Sequence, residues 1–226
     1  MIRGVLFDMD GVLLDSERMG RVYLKEVCRQ YGYEMTDQIH FGLLGLTEEA
    51  SRAYLAKAFG VSFPYDLIMG QVYARQLPQD GCQGKIPLKP GVEECFRGLK
   101  QRGIRIALAT STQRTVVEQY IAGTPAMQNV FDAMVCGREG GRSKPAPDIY
   151  LTAASRIGLS PRECVGVEDS RAGLQSLTAA HVASVMVPDL LPYGDAVAPY
   201  VQYKINDLGQ LCGLIDRLNL SARARA

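Results

Sequence analysis

The chain has 226 residues, a formal net charge of +1, and 47% hydrophobic residues. This balance gives no electrostatic reason to expect a nucleic acid or an anionic membrane as partner. No apolar run reaches the roughly 18 residues that a membrane-spanning helix needs, and Asp8 and Asp10 interrupt the apolar N-terminal stretch too early for a signal peptide. We therefore expect a cytoplasmic protein, whose six scattered cysteines, without a CxxC pair, are reduced thiols.

Short apolar runs recur along the chain, and each predicts a buried strand. In chain order these runs are GVLF, IRIALA, AMVC, CVGV, ASVMV and VQYKI. Most of them are followed by a stretch with the spacing of a helix. Such alternation is typical of an α/β fold, a mostly parallel sheet with helices on both faces.

The stretch from Ser16 to Gly84 departs from this alternation, because it contains no convincing strand. Four apolar residues recur there every four positions, as on the buried face of a helix: Met19, Tyr23, Val27 and Tyr31. The segments LTEEASRAYLAKAFG and PYDLIMGQVYARQL predict two further helices. The region is therefore predicted to be an all-helical insertion into the sheet domain.

Two domains follow from this pattern. We predict a sheet domain formed by residues 1–15 and 86–226, and a helical domain formed by residues 16–85. Residues 221–226, with the sequence SARARA, are predicted to form a flexible tail because they are small, basic and terminal.

Reactive residue types follow four of the predicted strands. They are Asp8 and Asp10, then Thr110, Ser111 and Thr112, then Lys144, and finally Glu168 and Asp169. Each group alone has an ordinary alternative: an Asp/Gly turn, a helix cap, a surface lysine, or a helix start with acids in its first turn. Ligands of an open parallel sheet bind beyond the carboxyl ends of its strands. The joint placement of the four groups therefore favours a shared site in which a cation lies among carboxylates.

Several other site types are not supported. GREGGRSK lacks the second glycine of a P-loop, because Arg142 stands in its place, and no GxGxxG motif exists. His40 and His181 are the only histidines and have no ligand spacing. A Ser-His-Asp triad and a zinc hydrolase site are therefore not expected.

The segments FDMDGVLLDSE, ATST, SKPAPDIY and GVEDSRAG resemble the four successive motifs of the haloacid dehalogenase superfamily. They are most similar to those of its phosphatases and β-phosphoglucomutase-like phosphomutases. The resemblance covers nearly the whole chain, and the helical insertion lies where such enzymes carry a cap. It implies a Rossmann-like core with a helical cap, Mg²⁺ as cofactor, and a small phosphorylated metabolite as substrate.

The resemblance also implies four catalytic residues. Asp8 would be the nucleophile that becomes an aspartyl-phosphate, and Asp10 would protonate the leaving group and then deprotonate the attacking water. Lys144 and Thr110 would stabilise the charge of the transferring phosphoryl group.

Binding roles are implied for the neighbouring residues. Phosphate would be bound by Ser111, Thr112 and Gly11, with the backbone N–H groups of Ser111 and Thr112 as donors. Gly11 would also let the chain turn tightly behind Asp8 and Asp10. Mg²⁺ would be held by Asp8, Asp169 and the backbone carbonyl of Asp10. Glu168 would either bind the metal through water or orient its neighbours.

Within the family, Asp10 argues against halide displacement and phosphonate hydrolysis, since those branches lack or replace the second acid. The phosphomutases that this sequence resembles have a histidine and an arginine at two positions of the cap. This chain has Gly20 at the first position and the run Thr47, Glu48, Glu49 at the second. We therefore favour a Mg²⁺-dependent phosphatase of a sugar phosphate or similar metabolite. A sugar phosphomutase is the alternative, and a non-catalytic phosphate-binding module is a third hypothesis.

Specificity is expected to come from the inserted helices, whose polar candidates are His40, Arg52, Tyr73, Arg75 and Gln76. The sequence does not define the oligomeric state.

Overall fold

The computed structural model describes residues 1–43, 48–76 and 86–224. The chain forms two compact units. One unit contains the sheet and comprises Met1–Asp15 and Pro87–Ala226, and the other is the segment Ser16–Ile86. The second predicted boundary, after residue 85, lies one residue before the division seen here.

The inserted unit contains four helices and no strand among its described residues. They are α1 (Ser16–Gln30), α2 (Asp37–Phe41), α3 (Glu48–Phe59) and α4 (Tyr65–Gln76). Its core includes Leu24 and Val27 of α1, Leu55 of α3 and Ile68 of α4. Of the predicted stripe, Val27 lies in this core and Tyr23 packs against it, whereas Tyr31, beyond the C-terminus of α1, is exposed.

Six strands in the described part of the chain pair in parallel. They are β1 (Gly4–Phe7), β2 (Arg105–Thr110), β3 (Ala133–Cys136), β4 (Cys164–Glu168), β5 (Ala183–Met186) and β6 (Tyr203–Lys204). Their order across the sheet is β3-β2-β1-β4-β5-β6. The strand β1 is central and all four of its residues are buried, which explains its uninterrupted apolar sequence.

Helices cover both faces of the sheet, as predicted. The sheet unit contains α5 (Val92–Gln101), α6 (Arg114–Gly123), α7 (Asp148–Arg156), α8 (Arg171–Ala179) and α9 (Leu211–Arg223). Leu6 of β1 packs in one core cluster with Tyr150 of α7 and Leu177 of α8. Phe7, which points to the opposite face, contacts Phe96 of α5 edge to face, with ring centroids 5.7 Å apart. The predicted α/β class is confirmed.

Ser221–Arg223, which lie within the segment predicted to be a flexible tail, continue α9. The backbone N–H of Ala224 donates to the carbonyl of Leu220 at 3.1 Å. Alanine and arginine have high intrinsic helix propensity, so the helix extends here although Leu220 is exposed. Residues 225 and 226 lie outside the described residues.

None of the described helices combines the length and the apolar character needed to cross a bilayer.

Candidate active site

The strand order brings the carboxyl ends of β1, β2 and β4 together. Phe7, the last residue of β1, is paired with Leu108 of β2 and with Val167 of β4. The backbone N–H of Asp8 donates to the carbonyl of Val167 at 3.1 Å. The sheet order reverses at β1, the point where open α/β sheets form a crevice. The predicted residues at these strand ends therefore share one edge of the sheet.

A buried ion cluster lies at this edge. Lys144 Nζ donates to Asp8 Oδ1 at 2.7 Å and to Glu168 Oε1 at 2.6 Å. The side chains of Lys144 and Asp8 are 8% and 10% exposed, and that of Glu168 is fully buried. One ammonium group thus bridges two carboxylates that would otherwise repel each other.

The oxygens of Glu168 accept four hydrogen bonds. Oε1 accepts from Lys144 and also from the hydroxyl of Tyr150 at 2.6 Å. Oε2 accepts from the backbone N–H of Ser170 at 3.2 Å and from its hydroxyl at 2.9 Å. These donors engage both oxygens of the carboxylate and fix its position.

The ionisation of the cluster reflects its burial. Burial raises the pKa of Asp8 to about 7; Lys144 opposes this shift, while Glu168 and Asp10 add to it. Burial also acts to raise the pKa of Glu168, but Lys144 and the hydrogen bonds from Tyr150 and Ser170 hold it below its ordinary value. Asp8 is therefore the carboxylate in this cluster whose charge is least compensated by the protein.

A group of three buried acids meets the donor requirements of a divalent cation. Carboxylate oxygens of Asp8, Glu168 and Asp169 lie within 4.8 Å of one another, and such oxygens are the ligands that Mg²⁺ prefers. Gly11 has a φ of +76°, and a Cβ at this position would lie 2.3 Å from Asp169 Oδ2. Only glycine therefore allows the turn after Asp10 to approach Asp169 this closely.

The hydroxyl residues after β2 form a small network with Asp10. Thr112 Oγ1 donates to Asp10 Oδ2 at 2.7 Å, and the backbone N–H of Thr112 donates to Thr110 Oγ1 at 3.1 Å. Thr110 is buried and Ser111 is exposed. The N–H of Thr112, which is predicted to bind phosphate, thus donates to Thr110 within the loop.

Three residues around Glu168 were not among the predicted site residues. Tyr150 in α7 and Ser170, the N-cap of α8, hold Glu168, and Gly173 leaves room for it, since a Cβ there would lie 1.7 Å from Oε1. The capped helix start in GVEDSRAG was the signal for Ser170. Tyr150 has no comparable signal, because in the sequence it cannot be distinguished from the apolar residues on the buried face of a helix.

Two of the polar candidates of the inserted unit, Arg52 and Arg75, form ion pairs within that unit. Arg52 donates to both carboxylate oxygens of Asp66, at 2.8 and 2.6 Å, and Arg75 donates to Glu26 at 3.0 Å. His40 is buried. These contacts account for the two arginines as ordinary surface ion pairs.

Comparison with known proteins identifies a family whose members match this chain across the residues at the sheet edge. The sequence profile of the haloacid dehalogenase-like hydrolases matches residues 5–187, which include all four predicted motifs. The chain belongs to this family. The resemblance inferred from the motifs is confirmed, and with it the assignment as a family enzyme.

Relatives of this haloacid dehalogenase-like hydrolase match over most of its length. Protein CbbY of Rhodobacter capsulatus is 32% identical, and the match covers 92% of this chain and 94% of that one. The phosphorylated carbohydrates phosphatase of Thermotoga maritima is 29% identical, with 81% and 84% covered. A solved T. maritima structure described as a β-phosphoglucomutase is 25% identical, with a TM-score of 0.77 and coverage of 96% and 99%.

Proposed function

We propose that this protein is a Mg²⁺-dependent phosphatase that hydrolyses a small phosphate monoester of the sugar-phosphate class through an aspartyl-phosphate at Asp8. The observation that carries the proposal is the buried cluster in which Lys144 bridges Asp8 and Glu168, next to Asp169. Family membership supports the reaction class, and the name of the phosphorylated carbohydrates phosphatase supports the substrate class.

Asp8 and Asp169 are the carboxylates best suited to hold the cation, because the oxygens of Glu168 already accept four hydrogen bonds. The backbone carbonyl of Asp10 is proposed as a third ligand. When bound, Mg²⁺ would neutralise part of the negative charge of the acids and of the phosphate. The raised pKa of Asp8 supports this assignment, since it reflects a carboxylate whose charge the protein alone leaves poorly stabilised.

In the first half-reaction, a carboxylate oxygen of Asp8 attacks phosphorus and the ester P–O bond breaks. Asp10 donates its proton to the departing oxygen, which leaves as an alcohol. The hydroxyl of Thr112 orients Asp10 through its 2.7 Å hydrogen bond to Oδ2. Lys144, fixed by Glu168, provides positive charge beside the reacting carboxylate.

In the second half-reaction, a water molecule attacks the phosphorus of the aspartyl-phosphate. Asp10 accepts the proton of this water, the acyl-phosphate P–O bond breaks, and inorganic phosphate leaves. Asp8 is regenerated as a carboxylate. A sugar hydroxyl in place of water would instead give the phosphomutase reaction, so the acceptor decides between the two functions.

The test is release of inorganic phosphate from a panel of phosphorylated sugars and related metabolites. We expect release that requires Mg²⁺, stops with a chelator, and falls by about 10³-fold or more in Asp8→Asn. The exposed acid Asp195 provides a matched control, and Asp195→Asn should keep full activity.

Two outcomes would contradict the proposal. Isomerisation of a hexose monophosphate, primed by a hexose bisphosphate and without phosphate release, would establish the phosphomutase function. Turnover of the whole panel no higher than in Asp8→Asn would favour the non-catalytic module.

A further inference from the structure

A second cluster of reactive side chains lies where α9 packs against α5. Cys212, in the first turn of α9, has its sulfur 3.8 Å from the carbonyl oxygen of Cys95 in α5, although the two residues are 117 positions apart. The two thiols are close enough that each shifts the pKa of the other. Gly98 makes room for this contact, since a Cβ there would lie 2.8 Å from the Cys212 sulfur.

The two cysteines differ in access to solvent. Cys95 is 1% exposed, whereas Cys212 is half-buried. A reagent in solution can therefore reach Cys212, while Cys95 is reached only by its neighbour. This division is what a reactive cysteine and its resolving partner require.

The surroundings of Cys212 favour its thiolate. The first turn of a 13-residue helix carries partial positive charge from its N–H groups. The guanidinium of Arg102 lies beside the sulfur, with Nη1 3.3 Å from the same Cβ position over Gly98. Arg102 is held there by the carbonyl of Gly98 at 2.9 Å and by Asp216 at 2.8 Å.

The groups around Cys212 act in both directions. The neighbouring thiol of Cys95 lowers the pKa of the Cys212 thiol and Arg102 adds to this effect, while burial, Asp216 and Glu94 oppose it. The net result is a pKa below the ordinary value of a cysteine.

The other cysteines in the described residues have pKa values above the ordinary value of a cysteine. Burial raises the pKa of Cys28 and Cys136 to about 11 and that of Cys164 to about 12. Reactivity in the described part of the chain is therefore concentrated at one thiol.

We propose that Cys212 and Cys95 form a peroxide-sensitive pair, in which Cys212 is oxidised first and Cys95 converts it to an intramolecular disulfide. The Cys212 thiolate attacks one oxygen of hydrogen peroxide, the O–O bond breaks, and the products are a sulfenic acid and hydroxide. The sulfur of Cys95 then attacks the sulfenic sulfur, forming the S–S bond and releasing water with its own proton. Two thiols are oxidised, one peroxide is reduced to two waters, and an external thiol reverses the reaction.

The disulfide would join two helices that are far apart in sequence. Closing so long a loop restricts the unfolded chain, so the oxidised protein should unfold at a higher temperature than the reduced protein. Formation of the bond is thus visible both chemically and as a shift in melting temperature.

The test is peptide mapping after brief treatment of the full-length protein with hydrogen peroxide. Remaining thiols are blocked with N-ethylmaleimide, and the protein is digested with trypsin without reduction. Residues 86–97 and 205–217 form tryptic peptides that each contain one cysteine. We expect these two peptides to be linked, the link to disappear with dithiothreitol, and the melting temperature to rise by several degrees on oxidation.

Three variants separate the two roles. Cys212→Ser should abolish the link, whereas Cys95→Ser should leave a sulfenic acid at residue 212 that dimedone labels. Cys164→Ser removes a buried thiol with a raised pKa and should form the link as the wild type does. Alkylation of Cys212 by iodoacetamide should also be faster at neutral pH than that of Cys28.

Three results would overturn the proposal. These are an unmodified Cys212 after peroxide treatment, a link from Cys212 to any cysteine other than Cys95, and a stable sulfenic acid at Cys212 while Cys95 is intact.

Discussion

The hydroxyl of Tyr150 donates a 2.6 Å hydrogen bond to Oε1 of Glu168, and both side chains are fully buried. Tyr150 also places its ring under Lys144, with Nζ 5.1 Å from the ring centroid. One aromatic residue of α7 therefore supports both the carboxylate and the ammonium group of the candidate site.

Tyr150→Phe keeps the ring and removes the donor. We expect the free energy of unfolding to fall by about 1–3 kcal/mol, because a buried charged acceptor loses one of its hydrogen bonds. We also expect kcat to fall more than KM changes, since Lys144 and Glu168 lose orientation. Urea unfolding and steady-state kinetics measure the two effects. Tyr33→Phe, in the inserted unit, keeps its ring contacts to Phe59 and Phe63 and should leave kcat unchanged.

Thr112→Val removes the hydroxyl that donates to Asp10 Oδ2. Because Asp10 is proposed to move a proton in both half-reactions, we expect kcat to fall by about 10-fold with no loss of Mg²⁺ binding. Thr112→Ser retains the donor and should restore most of the rate. Equal activity in the valine and serine variants would show that this hydrogen bond does not orient the acid.

Gly173→Ala tests the close packing around Glu168. A Cβ at residue 173 would lie 1.7 Å from Oε1, so we expect a loss of about 3 kcal/mol of stability and of most activity. Gly70→Ala is the matched control, because Gly70 lies within α4, is exposed, and has no atom within 4 Å of its added Cβ. That variant should gain about 0.5–1 kcal/mol, since alanine favours the helix. Guanidinium unfolding compares the two directly.

The pKa of Asp8 predicts how stability depends on pH and Mg²⁺. It is raised from 3.8 to about 7, so protonated Asp8 stabilises the metal-free protein below pH 3.8, and this stabilisation is lost as the pH rises through about 7. A cation needs the ionised carboxylates, so its effect on stability grows over the same pH range. We therefore expect Mg²⁺ to raise the melting temperature more near pH 8 than near pH 5. Asp169→Asn should lose this response and Asp195→Asn should keep it.

The ion pairs of Glu139 give a second pH dependence. Arg114 and Arg156 hold the pKa of Glu139 at about 2, below its ordinary 4.5. The depressed pKa means that the stabilisation is present above about pH 4.5 and is lost as the pH falls through about 2. Because the three side chains are partly exposed, Glu139→Gln should cost only about 1 kcal/mol at neutral pH.

The measurement is the urea midpoint of Glu139→Gln and of the wild type at several pH values. The difference between them should shrink as the pH falls below about 4.5. Glu118→Gln is the control, since its contact with Arg114 is 3.6 Å long and more exposed, and it should have little effect at any pH.

The central strands could be predicted because both of their faces are buried, which leaves uninterrupted apolar runs in the sequence. The prediction was less accurate for β6, at one edge of the sheet, where only Tyr203 and Lys204 of the run VQYKI pair with β5. The short helix α2 was missed, because five residues are too few for a periodic pattern. Its one local signal is Thr36, whose side chain accepts from the N–H of Ile39.

Much of the candidate site could be predicted because its acids, hydroxyls and lysine follow strands. The carboxyl ends of parallel strands lie at the same edge of the sheet. The role of Glu168 was left open, since its partners cannot be read from spacing. Tyr150, one of the hydrogen-bond donors to Glu168, is 18 positions away in the sequence. The pairing of Thr112 with Asp10, 102 positions apart, likewise depends on which strands are neighbours.

The chain leaves and re-enters the sheet unit at neighbouring points. The backbone N–H of Asp15 donates to the carbonyl of Pro87 at 2.8 Å, and that of Lys89 donates to Leu13 at 2.9 Å. Backbone hydrogen bonds therefore join the segment before the insertion to the segment after it. A short turn could replace all of residues 16–86 without stretching a strand. We therefore expect the carboxylate cluster to stay in register in a chain whose inserted unit is replaced by another module or by a short turn.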